Sequence, residues 1–131
     1  MPYYMTQWTY KDRQIQALVD NPHDRYEIIR KLFEAFGGKL HQFYFAFGDY
    51  DGVLIAEFPD NTSATACLLT VAKAGAVDQL KTTVLISPKE ALKAMKQASE
   101  TKTGYTPPAG KTAPAGAAGA AASALRRPPA G

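Results

Sequence analysis

The chain has 131 residues, with 15 Lys and Arg against 12 Asp and Glu for a formal net charge of +3. That length suits one domain, and the single cysteine, Cys67, excludes an intrachain disulfide framework and a cysteine-cluster zinc site. The charge excludes less than it suggests, because four of the bases and none of the acids lie beyond residue 100, which leaves residues 1–100 slightly acidic.

Residues 3–10 (YYMTQWTY) are rich in aromatics and Thr, as a strand requires. Alternation puts Tyr4, Thr6, Trp8 and Tyr10 on one face, with Tyr3 and Met5 on the other. A short helix over 11–19 carries Ile15, Leu18 and Val19 and is broken by Asp20-Asn21-Pro22. Residues 24–36 form the clearest helix, in which Ile28, Ile29, Leu32, Phe33 and Phe36 make one apolar stripe opposite Arg30, Lys31 and Glu34. Asp20, Asn21 and Asp24 are N-cap candidates, and Gly37-Gly38 supplies the left-handed stop.

Residues 39–47 (KLHQFYFAF) read as a strand. Simple alternation places His41, Phe43, Phe45 and Phe47 on one face and Leu40, Gln42, Tyr44 and Ala46 on the other. Gly48-Asp49-Tyr50-Asp51-Gly52 is a turn by composition, and residues 53–58 return as the second arm of a hairpin. The next helix, 63–74, turns Ala64, Cys67, Leu68, Val71 and Ala72 inward and stops at Gly75. Residues 77–86 form the fourth strand. Ser87-Pro88-Lys89-Glu90 is a capping box with proline at the first helical position, opening a helix over 88–99.

Residues 101–131 hold five of the nine prolines and five of the ten glycines, and most of the rest is alanine. Tyr105 and Leu125 are its only large apolar residues, too few to offset the entropy of ordering the segment. It reads as a disordered tail, with at most a short helix around 120–127, appended to a domain of residues 1–100. Its four dispersed bases make too weak a footprint for nucleic acid and no polybasic membrane cluster. No apolar run reaches the roughly 20 residues of a membrane span, the N-terminus lacks signal-peptide architecture, and a reducing cytoplasm is the expected compartment.

The order β-α-β-β-α-β-α is that of a ferredoxin-like α+β domain, an antiparallel sheet with helices on one face. The strands at 39–47 and 53–56 are apolar on both faces. An uncovered sheet face of that kind exceeds what monomers tolerate, which predicts a homo-oligomer, most simply a dimer packed sheet against sheet with a ligand pocket between.

The run Gly37-Gly38-Lys39-Leu40 … Phe43-Tyr44-Phe45-Ala46-Phe47-Gly48-Asp49-Tyr50-Asp51, with Ala74-Gly75-Ala76-Val77 and Thr82-Thr83 before Ser87-Pro88-Lys89-Glu90, resembles the GYD-domain proteins over roughly residues 1–98. That resemblance implies a ferredoxin-like domain of the dimeric α/β-barrel type in a bacterial cytoplasm. It brings no catalytic mechanism, and the long tail departs from the family pattern.

Trp8, His41, Tyr44, Asp49, Tyr50 and Asp51 are the candidate ligand-binding residues. Asp49 and Asp51 flank Tyr50 as paired carboxylates, although two carboxylates are too few for a calcium loop and Asp-Gly turn chemistry explains them as well. His41 is a general-base candidate if its face meets a pocket, and an edge histidine otherwise. Tyr4, Trp8, Tyr10 and Tyr44 suit either a planar ligand or an interface. Cys67, on an inward stripe, reads as a small hydrophobe, and His23 as a surface residue. No metal site and no cofactor is expected. Three functions stay open: a small-ligand-binding or sensory module, a small cofactor-free enzyme of the monooxygenase or isomerase kind, and a structural assembly unit.

Overall fold

In the computed structural model, which describes residues 1–109, backbone contacts group Met1–Leu92 as one unit and begin a second at Lys93, inside the last helix. The first unit runs β1 (Tyr3–Tyr10), α1 (Asp12–Asp20), α2 (Arg25–Ala35), β2 (Lys39–Phe45), β3 (Gly52–Glu57), α3 (Asn61–Ala74), β4 (Val77–Leu85) and the start of α4 (Pro88–Glu100). The strands form one sheet in the order β2-β3-β1-β4, with every neighbouring pair antiparallel. This is the ferredoxin-like arrangement. Its first crossover carries two helices, α1 and α2, because Asn21 and Pro22 interrupt the helical segment between β1 and β2.

Helix boundaries follow local chemistry. Asp24 caps α2 by accepting from Tyr26 N–H at 2.9 Å, and Asp60 caps α3 by accepting from Ser63 N–H at 2.8 Å. Ser87 Oγ accepts from Glu90 N–H at 3.1 Å at the start of α4. At the end of α2, Gly37 adopts φ +77°, Gly38 N–H donates to the Phe33 carbonyl at 2.9 Å, and Gly37 N–H donates to that of Glu34 at 3.0 Å. These are the paired bonds of a Schellman stop, and the left-handed residue is one that only glycine adopts cheaply.

The core lies between the sheet and α2 and α3. Tyr4, Thr6 and Trp8 of β1, Leu40 of β2, and Leu54 and Ala56 of β3 are buried together with Phe33, Phe58, Ala64 and Cys67. Phe33 and Phe58 meet at 5.2 Å, and Phe58 meets Tyr4 edge-on at 5.8 Å. Burying each such ring is worth about 1.5–3 kcal/mol. The polar members are satisfied: Tyr4 donates to Asn61 Oδ1 at 2.5 Å, and the Thr6 and Thr82 hydroxyls share a bond of 3.0 Å.

The alternation expected for β2 is corrected by a bulge. Leu40 opposes Ala56, but Gln42, Phe43, Tyr44 and Phe45 oppose Ile55, Leu54, Val53 and Gly52, so His41 is an extra residue without a partner of its own. Leu40, Phe43 and Phe45 therefore share the helix-facing side, and His41 lies on the opposite side with Gln42 and Tyr44. The aromatics of β1 are also on the helix side, since Tyr4 and Trp8 are buried there. The open face of the sheet consequently carries Tyr3, Met5, Gln7, Val53 and Ile55 rather than a Trp-Tyr cluster.

In the second unit, α4 continues to Glu100 and ends with Thr101 N–H and Oγ1 both donating to the Gln97 carbonyl, at 3.1 and 2.7 Å. No helix or strand occupies residues 101–109. The short helix expected around 120–127 lies outside the described residues.

Gly52 is buried opposite Trp8, and a Cβ built on it would fall inside the indole ring. Gly52→Ala is expected to lower stability by about 1–3 kcal/mol through overpacking, read as a lower urea midpoint with an unchanged slope.

Candidate functional site

The Gly-Asp-Tyr-Asp-Gly loop places its three central residues differently. Asp51 is half-buried and satisfies three backbone groups: its N–H donates to the Trp8 carbonyl at 2.8 Å, its carbonyl accepts from Ala46 N–H at 2.9 Å, and its carboxylate accepts from Tyr10 N–H at 2.8 Å. The residue ties the end of the β2–β3 hairpin to the end of β1, where the regular ladder stops. Tyr50 is half-buried beside it, and Asp49 is exposed. The loop's carboxylates thus diverge, one into the fold and one into solvent.

A cleft of about 200 Å³ opens between the sheet and the two helices that cover it. Thr6, Trp8, Phe43, Leu54 and Leu80 of the sheet form one wall, Ile28, Ile29 and Leu32 of α2 the second, and Leu68 and Val71 of α3 the third. The sequence explains why it is open. Residues of α3 that face the sheet deepest are small, Ala64 and Cys67, while the larger Leu68 and Val71 stay half-buried. Ala72, expected inward, is exposed. Burial pushes the Cys67 thiol up to about 12, so at neutral pH it is a packed hydrophobe. Trp8 is 5 % exposed and meets Phe43 at 5.2 Å and Tyr10 edge-on at 6.2 Å.

On the open face of the sheet a second group assembles around the bulge. His41 Nε2 and Glu57 Oε1 are 2.6 Å apart, and the His41 ring stacks on Tyr3 at 5.1 Å with an interplanar angle of 11°. Tyr3 and Glu57 are direct partners in the β1–β3 register. Glu57 is held below the usual carboxylate range, first by its bond to His41, against the opposing effect of burial, with Tyr3 and the nearby N-terminus adding to the lowering. The Tyr3 hydroxyl is raised, chiefly by the neighbouring Glu57 carboxylate. With Nε2–H donating to the carboxylate, Nδ1 is the ring nitrogen left with a lone pair.

The six candidate residues therefore fall on both sides of the sheet. Trp8 lines the cleft, His41 and Tyr44 lie on the open face, and Asp49, Tyr50 and Asp51 sit at the hairpin end. Two partners were invisible to a linear reading. Tyr3 and Glu57 join His41 through strand register between opposite ends of the β1–β3 sequence, and only the parity of Tyr3 opposite Tyr4 hinted at its face. Arg25, which lines the cleft, reads from sequence as an ordinary surface charge at a helix start.

Among the described residues, no group of three or more His, Cys, Asp or Glu side chains is placed to hold a metal ion, and no helix is long and apolar enough to cross a membrane. The sequence profile of the GYD domain matches residues 4–95, most of the chain and all four strands. The chain belongs to the GYD-domain family. Among solved structures this GYD domain is similar to MtbAldR, at 17% identity and a TM-score of 0.51 over 81% of this chain and 59% of that one. It thus spans little more than half of MtbAldR, and the likeness is one of fold. Similarity also extends to TTHA0845 from Thermus thermophilus (12% identity, TM-score 0.47, 66% of this chain and 95% of that one). A third is the hypothetical protein PHS023 from Pyrococcus horikoshii (13% identity, TM-score 0.42, 66% and 92%). No curated protein matches the sequence.

The depressed Glu57 carboxyl has a defined consequence for stability. A carboxyl whose folded value lies below its unfolded value stabilises the fold above the ordinary carboxylate range and loses that contribution as pH falls through the lowered value. Glu57→Gln should therefore melt below the parent near neutrality, and the gap should close in acid. A gap that is constant across a pH series of thermal melts would contradict the His41–Glu57 linkage.

Proposed function

We propose that this GYD domain is a small-molecule-binding module and that its ligand enters the cleft between α2, α3 and the sheet. The carrying observation is the cleft itself, an apolar space of about 200 Å³ walled by Trp8, Phe43 and Leu80. Engineered apolar cavities near 150 Å³ accept benzene, so a ligand of one or two rings fits the available room. This differs from the pocket between sheets that the strand pattern suggested, because it lies within one chain. The reading is tested with Trp8, the only tryptophan, as reporter. Small aromatic compounds should change its emission saturably, and Val71→Phe, which fills the cleft, should abolish the change while preserving the melt. Emission insensitive to every compound in the parent protein would defeat the reading.

We further propose that the module works as a homodimer through its open sheet face. Met5, Val53, Ile55 and Leu85 are half-buried there, Tyr44 is 58 % exposed beside them, and Phe47 projects fully from the hairpin end. Light scattering at micromolar concentration should give twice the chain mass, and Ile55→Asp should halve it with unchanged circular dichroism. A monomeric parent protein would refute the pairing.

A second reading, a cofactor-free enzyme, is favoured by one observation only, the His41–Glu57 pair. A histidine whose tautomer is fixed by a carboxylate is the usual orienting arrangement for a general base, and bulges such as the one that carries His41 are frequent beside active sites.

A further inference from the structure

Two cavities adjoin at the first residue of α2. The larger is the apolar cleft. The smaller, of about 70 Å³, is bordered by Gln14, Leu18 and His23, and Tyr10, Arg25 and Ala76 line both. The two neighbouring spaces together are amphipathic. One end offers aromatic rings and aliphatic side chains, and the other offers an amide, an imidazole and a guanidinium.

We propose that the cleft selects a small aromatic carboxylate, with the ring against Trp8, Phe43 and Leu80 and the carboxylate on Arg25, which lines the same cleft. The inference rests on the reading of the cleft as a ligand site and adds the charge of the ligand. Arg25 is half-buried and, among the described residues, makes no ion pair with an acid. Its neighbour on the same helix behaves otherwise: Arg30 is held between Glu27 and Glu34, at 2.7 Å from each. The one hydrogen bond of Arg25 is from Nη1 to His23 Nε2 at 3.3 Å. His23 Nδ1 lies 2.9 Å from the Asn21 carbonyl, which makes Nδ1–H the donor there and leaves Nε2 to accept from the guanidinium. The remaining guanidinium N–H groups stay available for a two-point bond to a carboxylate.

Position adds to this. Arg25 is the first residue of α2, where the helix dipole disfavours a cation and favours an anion. An arginine at that place destabilises the free helix a little and gains when an anion binds. Asp24 accepts from Tyr26 N–H as the cap, and Asp51 accepts from Tyr10 N–H. Neither turns its bond toward the guanidinium. The aromatic preference follows from the walls, since Trp8, Tyr10 and Phe43 present rings that stack or meet edge-on with a planar partner.

The test compares trans-cinnamate with trans-cinnamamide, which share shape and differ in charge. The full chain is titrated with each by calorimetry, with Trp8 emission in parallel. Cinnamate is expected to bind about tenfold more tightly, a difference of about 1.4 kcal/mol, and added salt should shrink the preference. Arg25→Gln should equalise the two compounds without lowering the melting temperature, and Arg25→Lys should keep part of the preference. If the amide binds as tightly as the acid, or if Arg25→Gln keeps the preference, the charge assignment is wrong while the cleft still stands as a binding site. If neither compound binds, the aromatic-carboxylate assignment falls, while the cleft reading is decided separately by the wider set of compounds screened through Trp8 emission.

Discussion

The indole of Trp8 lies across Gly52, and much of the domain is arranged around that exchange of volume. The ring occupies the space a side chain would fill on the middle strand β3. From there it reaches Phe43 on β2 and Tyr10 at the end of its own strand. The residue before Gly52 is Asp51, whose three backbone partners hold the hairpin end against β1. The Gly-Asp-Tyr-Asp-Gly loop is thus placed where the largest side chain of the core needs a smooth floor. Its acidic residue has a structural role that a liganding role would compete with, because a carboxylate already accepting from Tyr10 N–H has less to offer a cation.

Much of this architecture is legible in the chain because it is set locally. The apolar stripe of α2, the caps at Asp24, Asp60 and Ser87, and the stop at Gly37-Gly38 depend on residues within one or two turns of each other. The parts that resist reading depend on partners far along the chain. In β2, Leu40, Phe43, Phe45 and Tyr44 are apolar on both sides, so alternation cannot say which side is inward. The bulge at His41 becomes visible only in the pairing with β3. Trp8 is recognisable from its type as a large ring to be buried, but alternation does not say which side of the sheet covers it. Arg25 does not stand out, since nothing in sequence distinguishes it from Arg30, whose charge is taken up by two glutamates.

The sheet separates two kinds of chemistry. On its helix side an apolar cleft is bounded by rings and by the guanidinium of Arg25. On its open side a histidine, a glutamate and a tyrosine are joined by hydrogen bonding and stacking. β1 contributes to both, with Trp8 and Thr6 facing the cleft and Tyr3 facing Glu57 and His41. A backbone adjustment in that strand, central in the order β2-β3-β1-β4, would be felt on each side. The two groups share one strand and lie on its opposite faces.

His41 has a peculiar standing in this fold. It is supernumerary: strike it out, and Leu40, Gln42 and Phe43 would still point in, out and in opposite Ala56, Ile55 and Leu54. Neighbouring strand residues have their directions dictated by the ladder, and a change in any of them disturbs packing on one side or the other. The extra residue answers to no such demand. A change at position 41 therefore touches its bond to Glu57 and its stack on Tyr3 and leaves the inward packing of β2 in place.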